Sequence, residues 1–151
     1  MNNQNSCGFS LSETMDPREA AKIHARTLAY IGDSVFELGM RLKHTVSGFS
    51  PGRKLQGSIV KIVCAEYQAA IFEKILEEVC EEEKTLLKTW RNAKGPRKPL
   101  SVDRAVYSRS TAFEAWIGFL FLTGQNERIL EIFERTGRGI KPAAENDDSI
   151  K

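Results

Sequence analysis

The chain has 151 residues, 41% of them hydrophobic and 28% charged, which fits one globular domain with a real core and excludes a disordered chain. No apolar run reaches the roughly 18 residues that a membrane span needs, so no membrane role is expected. The net charge is only +2, so any nucleic-acid footprint must come from where the charge sits.

Residues 1–15 are polar and Ser/Asn-rich, with neither the basic nor the apolar region of a secretory leader, and read as a flexible extension. Asp16-Pro17-Arg18-Glu19 predicts a helix start, with Asp16 as N-cap, Pro17 at the first position and Glu19 reaching back to the cap. Apolar residues then recur at Ile23, Leu28, Ile31, Val35, Leu38 and Leu42, near the helical period. Gly32 and Gly39 interrupt this helix at about 1 kcal/mol each relative to alanine. A close helix crossing would explain a glycine directly before Asp33. After the break at Val46–Gly52, the residues Ile59, Ile62, Val63, Tyr67, Ala70, Ile71, Ile75 and Val79 trace an amphipathic helix. The acidic run Glu77–Glu83 reads as a solvated helix end, and Leu86, Leu87 and Trp90 suggest a further short helix.

Asn92–Leu100 is a basic loop bearing glycine and proline. A long apolar helix follows from about Asp103 to Leu122, closed by Thr123-Gly124, and Asn126–Phe133 supplies a last helix. No segment alternates over strand length, so the expected fold is all-α, with about six or seven helices in residues 16–137. Residues 138–151 are expected to be a flexible tail. Cys7, Cys64 and Cys80 lack CxxC spacing and fit reduced, mostly buried thiols; His24 and His44 add no zinc-ligand spacing.

Two acids carry the functional argument. Asp33, in Leu28–Glu37, and Glu114, in Ser110–Ala115, each stand among apolar neighbours about eighty residues apart. A carboxylate buried there must be paired, protonated or metal-bound. Brought together, two of them suit a hard divalent cation such as Mg²⁺. Glu37 shares a face with Asp33, although Arg41 is placed to pair with it. Between Lys88 and Arg109 there are seven basic residues and one acid, a local +6 within an overall +2, which leaves −4 for the rest. Cations beside a carboxylate site suit a polyphosphate substrate, and a solvated loop balancing the acidic run is the competing explanation.

These segments resemble a known family. Leu28–Glu37 is similar to the signature helix of the ribonuclease III family. Together with Arg91-Asn92-Ala93-Lys94 and Ser110-Thr111-Ala112-Phe113-Glu114-Ala115, it resembles the Mini-ribonuclease III branch, whose members consist of the nuclease domain alone. The residues after Phe133 are too few for an appended double-stranded-RNA-binding domain. The resemblance implies an all-α homodimer cutting double-stranded RNA with Mg²⁺, or Mn²⁺ in its place, and leaving 5′-phosphate ends. Ribosomal RNA precursor is the expected substrate, in a bacterial-type cytoplasm or a plastid stroma. Asp33 and Glu114 match the catalytic, metal-binding acids. Arg91, Asn92, Lys94, Arg97 and Lys98 are the expected RNA contacts.

Ala29 and Thr111 stand where full-length ribonuclease III carries further acids, which implies a larger role for water around the ion. Glu37 and Thr111 are candidate supporting residues. Gly39 replaces an aromatic usual in the branch, which would loosen the helix or the dimer contact. An alternative is a catalytically weak RNA-binding or ribosome-associated scaffold, which would typically lose Asp33 or Glu114. An all-α nucleotide phosphohydrolase would carry more clustered acids, such as an ExxE repeat.

Overall fold

The structure is a computed structural model that describes residues 13–47, 64–94 and 103–136. Among these are six helices and no strand: α1 Pro17–Ala20, α2 Ala25–Val46, α3 Ala65–Glu78, α4 Glu81–Arg91, α5 Arg104–Leu122 and α6 Asn126–Arg135. The all-α expectation holds. The expected helical positions Ile59, Ile62 and Val63 lie outside the described residues.

Asp16 caps α1 as its position predicts, accepting from the Arg18 N–H at 2.9 Å. Glu19 does not reach back to the cap; its carboxylate takes Lys22 Nζ at 2.6 Å. The single helix expected from Asp16 onward is also broken after Ala20. His24 starts a new one, its Nδ1 accepting from the Arg26 N–H at 3.2 Å. A ring nitrogen doing the work of an Asn or Ser cap gave no signal in the residue pattern.

Helix α5 is the hub. Nine of its residues are buried, from Ser110 to Leu120, and a helix apolar nearly all round belongs inside a protein. The Phe113 ring meets Phe36 of α2 edge to face at 5.0 Å, and Phe119 meets Trp90 of α4 at 5.4 Å. Burying each such ring contributes roughly 2–3 kcal/mol. Asp103 caps the start of α5, accepting from the Ala105 N–H at 2.8 Å. At the other end Gly124 takes φ 71°, and the Gln125 N–H returns to the Leu120 carbonyl at 2.8 Å. This left-handed closure needs a glycine.

Helix α2 crosses α5 at backbone contact. A Cβ on Gly32 would lie 1.7 Å from the Glu114 carbonyl oxygen, and one on Gly118 would lie 2.1 Å from that of Leu28. The glycine before Asp33 therefore sits at a close crossing. Gly39 is a different case. Its missing side chain makes room for the Phe133 ring of α6, which a Cβ would approach to 1.9 Å. Phe133 also meets Phe36 edge to face at 5.8 Å, so the ring fills the space and the helix is not loosened there. Lys43, one turn further along, donates to the carbonyls of Phe133 and Thr136 at the end of α6.

Helix α2 carries two apolar faces, and the periodicity Ile23–Leu42 merged them. The face against α5 uses small residues and Leu28, Phe36 and Met40. Leu38, Leu42 and Val46 point outward, 58%, 55% and 85% exposed. On α3 the core face is Gln68, Ala69, Phe72 and Ile75, with Tyr67 and Ile71 only half-buried and Ala70 exposed. The acidic run is the turn into α4, as expected, but Glu83 is half-buried and firmly paired. Cys64 and Cys80 precede α3 and α4; Cys80 is exposed, against the expectation of a buried one.

Candidate active site

The Gly32–Gly118 crossing brings two helical ridges face to face. Arg26, Ala29, Tyr30 and Asp33 follow i, i+3, i+4, i+7 spacing on α2, and Tyr107, Ser110, Thr111 and Glu114 follow the same spacing on α5. Between them and the start of α3, which adds Ala65 and Gln68, opens a pocket of about 400 Å³. Asp33 and Glu114 thus share one cavity. Ala29 and Thr111, the positions that lack the further acids, form part of its wall.

The two acids differ in setting. Asp33 is exposed at the rim, which corrects the expectation of a buried carboxylate; the apolar neighbours that suggested burial face α5 or the outer side of α2. Partial desolvation and then the Glu37 charge still raise its carboxyl above the usual range. Glu114 is half-buried. Desolvation, and next the Asp33 charge, push its carboxyl up to about 7, while the Gln68 amide pulls it back. No cation pairs with Glu114 among the described residues. Gln68 is 1% exposed, and its Nε2 stands close enough to act on Glu114 without a hydrogen bond of ordinary geometry to any described residue. An unpaired buried donor costs about 1–3 kcal/mol.

Glu37 lies outside the pocket and pairs with Arg41, as their spacing expects. Arg91, Asn92 and Lys94 close α4 and do not line the pocket; Arg91 Nε donates to Asn92 Oδ1 at 3.4 Å. Arg97 and Lys98 lie outside the described residues. Arg109 is held by Glu73 of α3 at 2.6 Å. Among the described residues the cation on the pocket wall is Arg26, beside the 81%-exposed Tyr30. Helical spacing back from Asp33 would have found both. Gln68 had no such signal, being one amide in an ordinary amphipathic helix.

The donor set fits a hard divalent cation. Two like carboxylates raise each other's cost of ionisation, and a cation between them removes that cost. No group of three or more His, Cys, Asp or Glu that could hold a metal ion occurs among the described residues. An ion held by these two acids would draw its remaining ligands from water, as Mg²⁺ usually does.

An all-α fold with paired acids at a helix crossing defines a class, and sequence likeness narrows it. Residues 26–125 match the Ribonuclease III domain family. A Mini-ribonuclease 3 from Symbiobacterium thermophilum is 38% identical over 72% of this chain and 83% of its own length. One from Desulfitobacterium hafniense is 35% identical over 89% and 90%. A crystal structure of a Fusobacterium nucleatum protein superposes with a TM-score of 0.67 at 31% identity, covering 76% of this chain and 92% of that one. The chain belongs to the ribonuclease III family, in its Mini-ribonuclease 3 branch, and is by that membership an endoribonuclease.

Proposed function

We propose that the protein is a Mg²⁺-dependent endoribonuclease that cuts double-stranded RNA as a homodimer, with ribosomal RNA precursor as the natural substrate. The observation that carries this reading is the pairing of Asp33 with an unneutralised Glu114 in one pocket. These two carboxylates hold the ion, directly or through water. When bound, the ion supplies an activated water and neutralises charge at the scissile phosphate. The ion could be Mn²⁺ as well as Mg²⁺.

The remaining roles follow from position. Arg26 binds backbone phosphate at the rim, and the exposed Tyr30 packs against the minor-groove edge, where duplex RNA is read by shape, phosphate and 2′-hydroxyl. Arg91, Asn92 and Lys94, with Arg97 and Lys98, contact the duplex further out. Thr111, on the pocket wall, would supply a hydroxyl to hydrogen-bond water there. Glu37, held by Arg41, acts only through its charge on Asp33. Hydrolysis leaves 5′-phosphate and 3′-hydroxyl ends. The outward face of α2, with Leu38, Leu42 and Val46 exposed, is the surface offered to a second copy, because an apolar stripe of this length is costly in water. Among the described residues no helix is long and apolar enough to cross a membrane, and a bacterial cytoplasm or plastid stroma is the proposed compartment.

The test is cleavage of long double-stranded RNA with Mg²⁺, alongside EDTA and Glu114→Gln. The expected result is cleavage that both controls abolish while Glu114→Gln still binds RNA. Tight binding without cleavage by the unmodified protein, with Mg²⁺ or Mn²⁺, would favour an RNA-binding scaffold. For the dimer, Leu38→Glu with Leu42→Glu is expected to halve the mass in sedimentation equilibrium. An unmodified protein already monomeric at high concentration would overturn that part.

A further inference from the structure

Among the described residues three polar ones are buried: Gln68, Ser110 and Thr136. Two of them are satisfied within their own helices. Ser110 Oγ donates to the Tyr107 carbonyl at 3.0 Å, and Thr136 Oγ1 to that of Ile132 at 2.7 Å. Gln68 is the exception, its Nε2 buried without a hydrogen bond. It projects from α3 into the pocket that α2 and α5 form around Asp33 and Glu114.

A structural role explains this poorly. A leucine or methionine of the same volume would fill the site without leaving a donor unpaired, and core positions without a polar partner are ordinarily apolar. An amide brings two N–H donors and no charge. Beside a carboxylate it can hold the charged form in one orientation without competing for the cation, which a lysine or arginine here would do. The half-buried carboxylate that lines the same pocket, with no cation paired to it among the described residues, is that of Glu114. Metal ligands generally need such an outer partner to fix their orientation.

We propose that Gln68 is a positioning residue whose side-chain amide donates to the Glu114 carboxylate and fixes it for divalent-cation binding. The inference rests on the metal-dependent reading above. Gln68 touches neither RNA nor ion in this role. It sets how tightly the pocket takes the ion and how well the reaction is aligned once it has.

The test compares the unmodified protein with Gln68→Met, which keeps the volume and removes the donors. Two readouts are taken: the rise in Tm caused by Mg²⁺ alone, and the kinetics of double-stranded RNA cleavage. In Gln68→Met the Mg²⁺ concentration giving half the Tm rise is expected to increase about tenfold. The kcat should fall about tenfold, while KM for RNA at saturating Mg²⁺ stays within twofold. The metal-free Tm should change little, because methionine keeps the volume and removal of a buried polar group offsets the lost amide contact. A lowered metal-free Tm with unchanged Mg²⁺ response and kcat would make Gln68 merely structural and overturn the inference. If Gln68→Met loses cooperative unfolding, Gln68→Ala, which only enlarges a cavity already open to solvent, is read by the same Mg²⁺ and kcat criteria. An unmodified protein that neither binds Mg²⁺ nor cleaves would overturn the metal-dependent reading itself, a result distinct from equal behaviour of the two proteins.

Discussion

Two half-buried glutamates abut the same helix, and they are treated in opposite ways. Glu83, in the first turn of α4, accepts from the Trp116 indole N–H at 2.8 Å and from both Arg128 nitrogens at 2.7 and 2.9 Å. Arg128 also lies over the Trp116 ring, 5.3 Å from its centre. One carboxylate thus ties α4, α5 and α6 together. Glu114, on α5 itself, shares its pocket with the Asp33 carboxylate and pairs with no cation among the described residues. An acid that stabilises a fold is given donors, whereas an acid kept for a ligand is left in need of one. Stability is forgone at Glu114 and gained at Glu83, the usual division between a site and its scaffold.

Three substitutions sharpen this contrast, from the largest effect to the smallest. Gly32→Ala should be the most damaging, because its Cβ would meet the Glu114 carbonyl oxygen at 1.7 Å and the Gly118 nitrogen at 2.7 Å. Backbone cannot step aside as a side chain can, so α2 and α5 must separate. A loss of more than about 3 kcal/mol in urea unfolding is expected, with the site lost too. Unchanged stability would mean that the crossing is looser than described.

Glu114→Gln follows, with a gain in place of a loss. Burial pushes the folded carboxyl up to about 7 from the usual 4.5, so the native state holds its proton more tightly than the unfolded chain does. Ionisation then destabilises the fold as pH rises from 4.5 to 7, and the penalty is full above 7 and absent below 4.5. At pH 8 the uncharged glutamine should add up to about 3 kcal/mol in the metal-free protein, and at pH 4 almost nothing. A stabilisation independent of pH would point to packing instead of charge.

Glu83→Gln should have the smallest effect and the opposite sign. It keeps the shape but weakens the Arg128 and Trp116 bonds, costing about 2 kcal/mol after allowance for the partly exposed guanidinium. The Tm should fall by roughly 5 °C. Cleavage per folded molecule should stay within twofold. A large loss of activity at unchanged stability would move Glu83 into the site.

The cap at Asp16, the closure at Gly124 and the glycine crossing at Gly32 were legible from sequence because each is a local rule with a local cause. Asp33 and Glu114 also stood out as acids in apolar stretches, and the fold places them in one pocket. Other features were illegible for physical reasons. Periodicity along α2 cannot separate a face that meets α5 from a face that meets solvent when both are apolar, so Leu38 and Leu42 looked like core. The same blindness made Asp33 look buried. A cluster of basic residues drew attention to Arg91 and Lys94, while Arg26, the cation on the pocket wall among the described residues, lies outside that cluster. Gln68 acquires meaning only from what lies across the cavity.

The contrast between the two glutamates reduces to one measurable quantity, the titration of Glu114. It can be followed by NMR through the carboxyl carbon of ¹³C-labelled glutamate, assigned with Glu114→Gln, without and with Mg²⁺. A midpoint near 7 without metal, displaced by at least one pH unit to lower pH by Mg²⁺, is the expected result. A midpoint near 4.5 that Mg²⁺ leaves in place would show that Glu114 is neither strained by its surroundings nor held for a cation.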